Sequence, residues 1–359
     1  MMHRSVLFIA VLLFLPIAPA VADEKDQAKV VAHVLDNVIQ PGYQALKAAA
    51  ERQSSSLAAL CEAPGEPALA TARGDFGRLV SAWSRVEFAR FGPARSDNRF
   101  ERLFFWPDRR GRGLRQVQGV IAGQDPSAIS VKTLRRKSVA VQGLLALEFT
   151  LFGTGSDALA GDDVFRCRYA QAIAGNVALT AGELVDGWTG DYGALARNPG
   201  PDNPVYRAPK EVLQDFVRSA NEQVTIVRDL KIGAALGKTP EAAKPKRAPF
   251  WRSDLTLMSI QANLEAMRDL IADRGFSEVL ATDDEWVVES FRFEINQAIN
   301  VIKALESADR SWVDTTGDVE GHQKLAYVQI PMGGAATILS SSLPQALGLT
   351  LGFNSLDGD

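Results

Sequence analysis

The chain has 359 residues, of which 46% are hydrophobic and 23% are charged, so it can form one large domain or two ordinary ones. This composition excludes a disordered or fibrous chain. The formal net charge of −4 and the lack of a basic tract in the sequence argue against nucleic acid as a partner.

The N-terminus has the pattern of a secretory signal peptide over residues 1–22. A short basic start ends at Arg4, an apolar stretch covers residues 6–17, and residues 20–22 have the small side chains typical of a cleavage site. The alternative is an N-terminal membrane anchor, but the apolar stretch is shorter than the roughly 20 residues that a spanning helix needs. We therefore expect a protein exported to the periplasm or cell envelope, with no transmembrane segment after signal cleavage.

Helical periodicity covers most of the remaining chain. Apolar residues recur at three- and four-residue spacing from Val30 to Val38, which predicts a helix with one buried face. Pro41-Gly42 predicts a kink or break in that helix. Further helices are predicted over residues 43–60, 68–91, 114–122, 131–152, 162–188, 205–236, 255–274, 284–308 and 322–347. No segment alternates with the period of two that a strand requires, so the sequence predicts an all-α fold.

The segments between the helices indicate the domain organisation. Residues 94–113 predict an ordered loop, and the Lys- and Pro-rich residues 237–249 predict a connector. The strongest loop signal is Asn198-Pro199-Gly200-Pro201. We therefore predict an N-terminal helical bundle over residues 23–200 and a C-terminal one over residues 201–359, each resembling a four-helix bundle.

The chain contains two cysteines, Cys61 and Cys167. Export would place them in an oxidising compartment, where a pair of cysteines can form a disulfide. The alternative is a pair of small buried thiols. A disulfide between them would close a long loop and stabilise the fold by about 2–4 kcal/mol.

Catalytic residues cannot be assembled from the sequence. Only His33 and His322 remain after signal cleavage, and no His-Glu-x-x-His pair is present to bind a catalytic zinc. The sequence also has no Gly-x-Ser-x-Gly turn for a serine nucleophile. His33 fits a helix surface or boundary, and His322 fits the start of a helix. We predict no catalytic residue, and the sequence favours a protein that is not an enzyme.

Seven short stretches, in this order and at this spacing, carry a resemblance to a known family. They are residues 41–43, 61–64, 83–93, 105–108, 143–149, 228–231 and 353–359. Together they resemble the imelysin-like family of bacterial envelope proteins. The resemblance implies two helical bundles with a cleft between them, and a link to iron uptake. It also implies a peptidase label, which some members carry, while others resemble the periplasmic component of a ferrous-iron transporter.

The chain departs from the family at its most recognisable motif, Gly-x-His-x-x-Glu, which falls on residues 143–148. His and Glu three residues apart on a helix lie on one face and can bind the same metal. Here Leu145 occupies the His position, so Glu148 is the remaining candidate for a metal ligand. A lone carboxylate is a poor transition-metal site, which leaves the cofactor unknown. A divalent metal such as iron is the candidate that the resemblance implies.

Four polar residues are candidates for lining the cleft: Glu148, Arg85, Arg252 and Ser253. Glu148 interrupts an apolar helix, and a buried carboxylate needs a hydrogen-bond donor or a cation. It either pairs with an arginine such as Arg85, as a structural group, or holds a ligand or an ion in the cleft. Arg252 would bind an anionic group through two hydrogen bonds, and Ser253 alternatively caps the helix that begins at Leu255.

The sequence thus predicts a periplasmic ligand-binding or accessory protein linked to iron uptake. Its partner would be a small ligand or a metal ion in the cleft between the bundles, and an envelope protein is a further candidate partner. The alternatives are a peptidase of the imelysin family, or a non-catalytic interaction protein at the outer membrane.

Overall fold

The computed structural model describes residues 24–349, which form sixteen α-helices and no strand. The helices are α1 Glu24–Val34, α2 Gln40–Glu62, α3 Glu66–Val86, α4 Arg99–Leu103, α5 Arg112–Ala122, α6 Val131–Leu134, α7 Leu144–Phe152, α8 Val164–Thr189, α9 Asp191–Arg197, α10 Pro209–Thr225, α11 Ala234–Leu236, α12 Thr256–Arg268, α13 Glu285–Glu306, α14 Trp312–Gly317, α15 Val319–Thr337 and α16 Leu343–Ala346. The predicted all-α class is confirmed. The predicted signal peptide and the stretch 353–359 lie outside the described residues.

The predicted break at Pro41-Gly42 takes the form of a local change in helix type. A π-helical segment, Leu35–Ile39, joins α1 to α2 without interruption. Pro41 lies in the first turn of α2. A Cβ atom at Gly42 would lie 2.6 Å from Cγ1 of Val86, so glycine allows α2 to pack closely against the end of α3. Three further π-helical segments lie within or between later helices: Ile226–Gly233, Asp269–Asp273 and Ile338–Ser342.

The predicted continuous helix over residues 131–152 is wrong. The chain forms α6, a 3₁₀ turn at Val139–Val141 and then α7. Gly143 is in an extended conformation immediately before α7, and a Cβ atom there would lie 2.4–2.5 Å from the carbonyl oxygens of Leu103 and Arg102. This close approach to the end of α4 fixes where α7 begins. It depends on residues that are distant in the sequence.

The helices pack in two sets around one continuous hydrophobic core. In the first set α2 packs against α3 and α8, and α7 packs against α8. In the second set α13 packs against α12 and α15, and α10 packs against α15. The sets meet where α3 contacts α12 and where α1 contacts α10. Because α1 packs on the second set, the division into residues 23–200 and 201–359 stays a prediction.

A disulfide joins Cys61, in the last turn of α2, to Cys167 in α8, with 5.6 Å between the two Cα atoms. The predicted disulfide is therefore confirmed, and the alternative of two buried thiols is wrong. Between residues 24 and 349, no helix combines the length and the apolar character that crossing a membrane requires.

Candidate functional site

A cavity of about 670 Å³ lies beside α7 and is the candidate site. Its walls come from four segments of the chain: residues 105–117, 140–149, 230–234 and 244–252. Two of these segments precede the predicted boundary near residue 200 and two follow it. The volume is within the range of about 300–1,000 Å³ that is usual for small-molecule sites. We call this space the α7 cavity.

The carboxylate of Glu148, buried in α7, holds one wall of the cavity in place. Its Oε1 atom accepts hydrogen bonds from the backbone N–H of Arg252 at 3.0 Å and of Ser253 at 3.1 Å, and from the Ser253 hydroxyl at 3.0 Å. Burial raises the pKa of Glu148, although these three donors act in the opposite direction. Glu148 thus anchors to α7 the segment that follows the connector of residues 237–249.

The local backbone explains why these N–H groups point inward. Phe250 and Asp254 have positive φ angles of 61° and 59°, which fold the segment between them into a tight turn. The N–H of Leu255 closes the turn by donating to the carbonyl oxygen of Phe250 at 3.0 Å. The predicted capping role of Ser253 is wrong, because α12 begins at Thr256 and Leu255 takes the capping position without a side-chain bond.

Arg252 projects from this turn into the α7 cavity. Its guanidinium carbon lies 4.4 Å from the centroid of the Trp251 ring and 5.5 Å from that of Phe149. No carboxylate among residues 24–349 lies within ion-pair distance of this guanidinium. The guanidinium is therefore held against aromatic faces, and the Glu148 carboxylate acts on it electrostatically without a direct ion pair.

Arg85 does not join the other predicted site residues. Its guanidinium pairs with Glu265 at 3.1 Å and with Asp269 at 2.5 Å, on the same turn of the α12 region. Arg85 is absent from the walls of the α7 cavity. The role considered for it as the partner of Glu148 is therefore wrong, while its role as a residue of the cleft between the bundles stays a prediction, since it lies where α3 meets α12. The structure brings together Glu148, Arg252 and Ser253.

Several residues of the cavity were missed by sequence reasoning. Four further cationic side chains line it, namely Arg109, Lys244, Lys246 and Arg247. Three of them belong to the segment that the sequence predicted as a connector. The signal that could have identified them is the run of lysine and arginine directly before Trp251, since cations and aromatic faces often lie together in ligand sites.

The acidic groups in the cavity walls are already engaged. Asp108 accepts hydrogen bonds from the backbone N–H of Arg112 at 2.8 Å and of Leu114 at 3.1 Å, so it stabilises the start of α5. Glu148 is bound to the 250–254 turn. Five cationic residues therefore contribute to the cavity walls, four of them exposed to solvent, and none of the five forms an ion pair within the described part of the chain.

The residues around Glu148 do not fit a metal ion. Leu145 lines the cavity at the motif's His position and has no atom that could bind a metal. Glu148 Oε1 already accepts three hydrogen bonds, and Arg252 places a positive charge in the same cavity. No group of three or more His, Cys, Asp or Glu side chains that could hold a metal occurs in residues 24–349. His322 is buried in the first turn of α15 and His33 is half-buried in α1.

A second polar cluster lies in the interior, where α3 meets α12. The fully buried Lys231 ammonium lies 2.7 Å from Glu87 Oε2, 2.7 Å from Asn263 Oδ1 and 3.3 Å from Ser259 Oγ. Burial alone would raise the pKa of Glu87, but Lys231 and Arg90 hold it below its ordinary value. Glu87 is thus a polar group of the core, bound to Lys231 and Asn263.

The raised pKa of Glu148 predicts how stability depends on pH. A carboxyl with a higher pKa in the folded state than in the unfolded chain binds its proton more tightly when folded. The stabilisation that comes from this tighter proton binding is complete below the pKa of the unfolded chain, 4.5, and is lost as the pH rises through the folded-state pKa of Glu148. We therefore expect the wild type to lose stability relative to Glu148→Gln as the pH rises from 4.5. Urea unfolding of both proteins across this range gives the free energy of unfolding of the wild type minus that of Glu148→Gln. A value that stays constant or rises with pH would contradict the expectation.

Comparison with known proteins identifies the family. The family model described as imelysin, which carries a peptidase label, matches residues 39–330. No curated protein sequence matches the chain. An imelysin-like protein from Psychrobacter arcticum 273-4 superposes with a TM-score of 0.77 at 18% identity, over 93% of this chain and 100% of that one.

A second solved structure is similar to the same extent. A protein from Parabacteroides distasonis ATCC 8503, described as an iron-regulated protein A precursor, superposes with a TM-score of 0.75 at 15% identity, over 91% of this chain and 96% of that one. At these identities the solved structures support the fold alone. The family model covers most of the chain, and the chain therefore belongs to the imelysin family.

Proposed function

We propose that this chain is a non-catalytic ligand-binding or accessory protein of the bacterial cell envelope, linked to iron uptake, which holds a small organic molecule in the α7 cavity. The observation that carries the proposal is the use of Glu148. Its Oε1 atom accepts the three hydrogen bonds that hold the 250–254 turn in the cavity wall, and none of the cationic residues in the walls forms an ion pair within residues 24–349. Preformed cavities with aromatic walls and a few polar groups are typical of small-ligand sites.

The envelope location is supported by two features. The N-terminal sequence has the pattern of a signal peptide. The Cys61–Cys167 disulfide is the kind of bond that forms and persists in exported proteins. The link to iron rests on the family and on the description of the solved structure from Parabacteroides distasonis as iron-regulated.

An interaction protein is the second candidate, and one observation favours it. Trp286 and Phe293 lie seven residues apart on one face of α13 and are 56% and 61% exposed. Ile330, on the neighbouring helix α15, is 69% exposed. Exposed apolar side chains on adjacent helices are a feature of protein contact surfaces. The α7 cavity favours the ligand-binding proposal, because its walls come from distant parts of the chain.

A thermal-unfolding screen of the purified protein tests the proposal. The compounds are small organic anions, cations and neutral molecules, together with ferrous and zinc ions. A ligand present at 100 times its dissociation constant should stabilise the wild type by about 2.7 kcal/mol. We expect organic compounds to raise the melting temperature of the wild type and to act less on Trp251→Leu, a change in the cavity wall.

The metals provide the matched comparison. If a metal ion changes the melting temperature, we expect the change to be the same in the wild type and in Glu148→Gln. The reason is that Leu145 stands where the family motif has its second metal ligand. A ferrous-ion shift that disappears in Glu148→Gln would show that the carboxylate binds metal and would contradict the proposal. Cleavage of a peptide library by the wild type would favour the peptidase alternative instead. A screen in which no compound acts would favour the interaction protein.

A further inference from the structure

The arrangement of charges and rings in the α7 cavity points to one class of ligand. We propose that the cavity selects a flat aromatic molecule carrying at least two negative charges, such as an aromatic dicarboxylate. This inference rests on the proposed function, since it names the ligand that the cavity would take.

The charge requirement follows from the balance of groups in the walls. Cations approach from two different segments, Arg109 from residues 105–117 and Lys246 and Arg252 from residues 244–252. Both oxygens of Asp108 and the Oε1 atom of Glu148 accept hydrogen bonds from backbone N–H groups, and neither acid forms an ion pair with a cation of the walls. A ligand that meets both segments therefore needs negative charge at more than one position. The chain as a whole is acidic, so the cavity departs in sign from the rest of the molecule.

The shape requirement follows from the rings. Five aromatic side chains contribute to the walls: Phe105, Trp106, Phe149, Phe250 and Trp251. Their apolar faces favour a planar ring that can stack, and such stacking strengthens binding by about three- to tenfold relative to a saturated ring of equal charge. Leu145 adds a further apolar contact at the position where the family motif has His.

Arg252 is the residue that we expect to recognise a carboxylate. Its backbone N–H is fixed by Glu148 at 3.0 Å, so the side chain starts from an anchored position. Its guanidinium donors have no hydrogen-bond acceptor within the described residues. A planar guanidinium can bind a carboxylate through two parallel hydrogen bonds, which a lysine cannot reproduce. Lys246, whose ammonium lies 5.2 Å from the Trp251 ring centroid, adds positive charge at the same wall.

Calorimetric titration with a matched set of four probes tests this inference. The probes are naphthalene dicarboxylate, naphthalene monocarboxylate, the neutral naphthalene dicarboxamide, and decalin dicarboxylate, which keeps the charges but lacks the flat ring. We expect the dicarboxylate to bind best, with the monocarboxylate and the dicarboxamide each weaker by about tenfold or more. We expect decalin dicarboxylate to bind about three- to tenfold more weakly.

Variants assign the effects to residues. Arg252→Gln should weaken the dicarboxylate by about tenfold or more while leaving the dicarboxamide unchanged. Its backbone N–H can still bind Glu148, so the fold of the turn is retained. Trp251→Leu should remove most of the preference for naphthalene over decalin. Lys324→Gln, which changes an exposed lysine of α15 outside the cavity, is the control and should bind all four probes as the wild type does.

The outcomes distinguish a wrong ligand class from a wrong proposed function. Equal binding of dicarboxylate and dicarboxamide would overturn the charge requirement, and equal binding of the naphthalene and decalin probes would overturn the ring requirement. In both cases the cavity would still be a ligand site. If no probe binds and the broader compound screen is also negative, the proposed function itself fails.

Discussion

The Lys231→Met variant is expected to unfold with a free energy about 3–5 kcal/mol lower than that of the wild type. The reason is that Lys231 and Glu87 are both fully buried, with 2.7 Å between the ammonium and the carboxylate oxygen. Removing the lysine leaves a charged carboxylate in the core. Glu87 would keep the Asn263 amide at 3.1 Å and Arg90 at 3.3 Å, which places the loss toward the lower end of the range. Urea unfolding of both proteins measures it.

Two comparisons make this result specific. Lys324→Met removes an exposed pair with Glu320 and should change the unfolding free energy by less than about 1 kcal/mol. The double variant Lys231→Met/Glu87→Leu removes both buried charges and should be less destabilised than the sum of the single variants. Equal losses for Lys231→Met and Lys324→Met would show that the buried pair does not act as a charged unit.

The second large effect is expected for the disulfide. Loss of the bond in Cys61→Ala/Cys167→Ala should lower the free energy of unfolding by about 4 kcal/mol. The bond joins residues separated by 106 positions, so it removes much of the conformational freedom of the unfolded chain. Both cysteines lie in helices that pack along each other, and we expect the folded structure to survive without the bond.

A reducing agent supplies the control for this prediction. It should destabilise the wild type by about as much as the double variant and should not affect the double variant further. Denaturant unfolding, with and without the reducing agent, compares the four conditions. If the reduced and oxidised wild type unfold with the same free energy, the bond contributes nothing to stability and the expectation is wrong.

Much of the fold could be predicted because its signals are local. Apolar spacing located the long helices α2, α8, α12 and α13. Two cysteines in a chain with the sequence pattern of an exported protein favoured their pairing over two buried thiols. The helix predicted over residues 131–152 failed because Gly143 packs against carbonyl groups of residues 102 and 103, a contact that no local pattern reveals.

The candidate site was harder to predict, because its geometry depends on long-range contacts. Glu148 was identified from its isolation in an apolar helix, but its partners lie about a hundred residues further along the chain, in the backbone of Arg252 and Ser253. The choice of Arg85 as a partner followed the same charge argument and failed, because Glu265 and Asp269 are closer. The cations of the connector were overlooked since lysine- and proline-rich segments usually face solvent.

Leu145 stands at the His position of the family motif, and the walls of the α7 cavity contain no histidine. In this chain the motif's carboxylate stabilises a turn, and the cavity beside it is cationic and aromatic. A transition-metal site would need the opposite, with several neutral or anionic ligands around a free carboxylate. This contrast supports an organic anion over a metal ion as the molecule that the α7 cavity holds.

The most direct test of the account is a crystal structure of the protein grown with naphthalene dicarboxylate. We expect electron density for the ring against Trp251, with one carboxylate bound by the guanidinium of Arg252 and with the Glu148 carboxylate still accepting the N–H groups of the turn. This expectation would be contradicted by a ligand bound outside the α7 cavity, or by a cavity closed through an ion pair between Arg252 and Glu148.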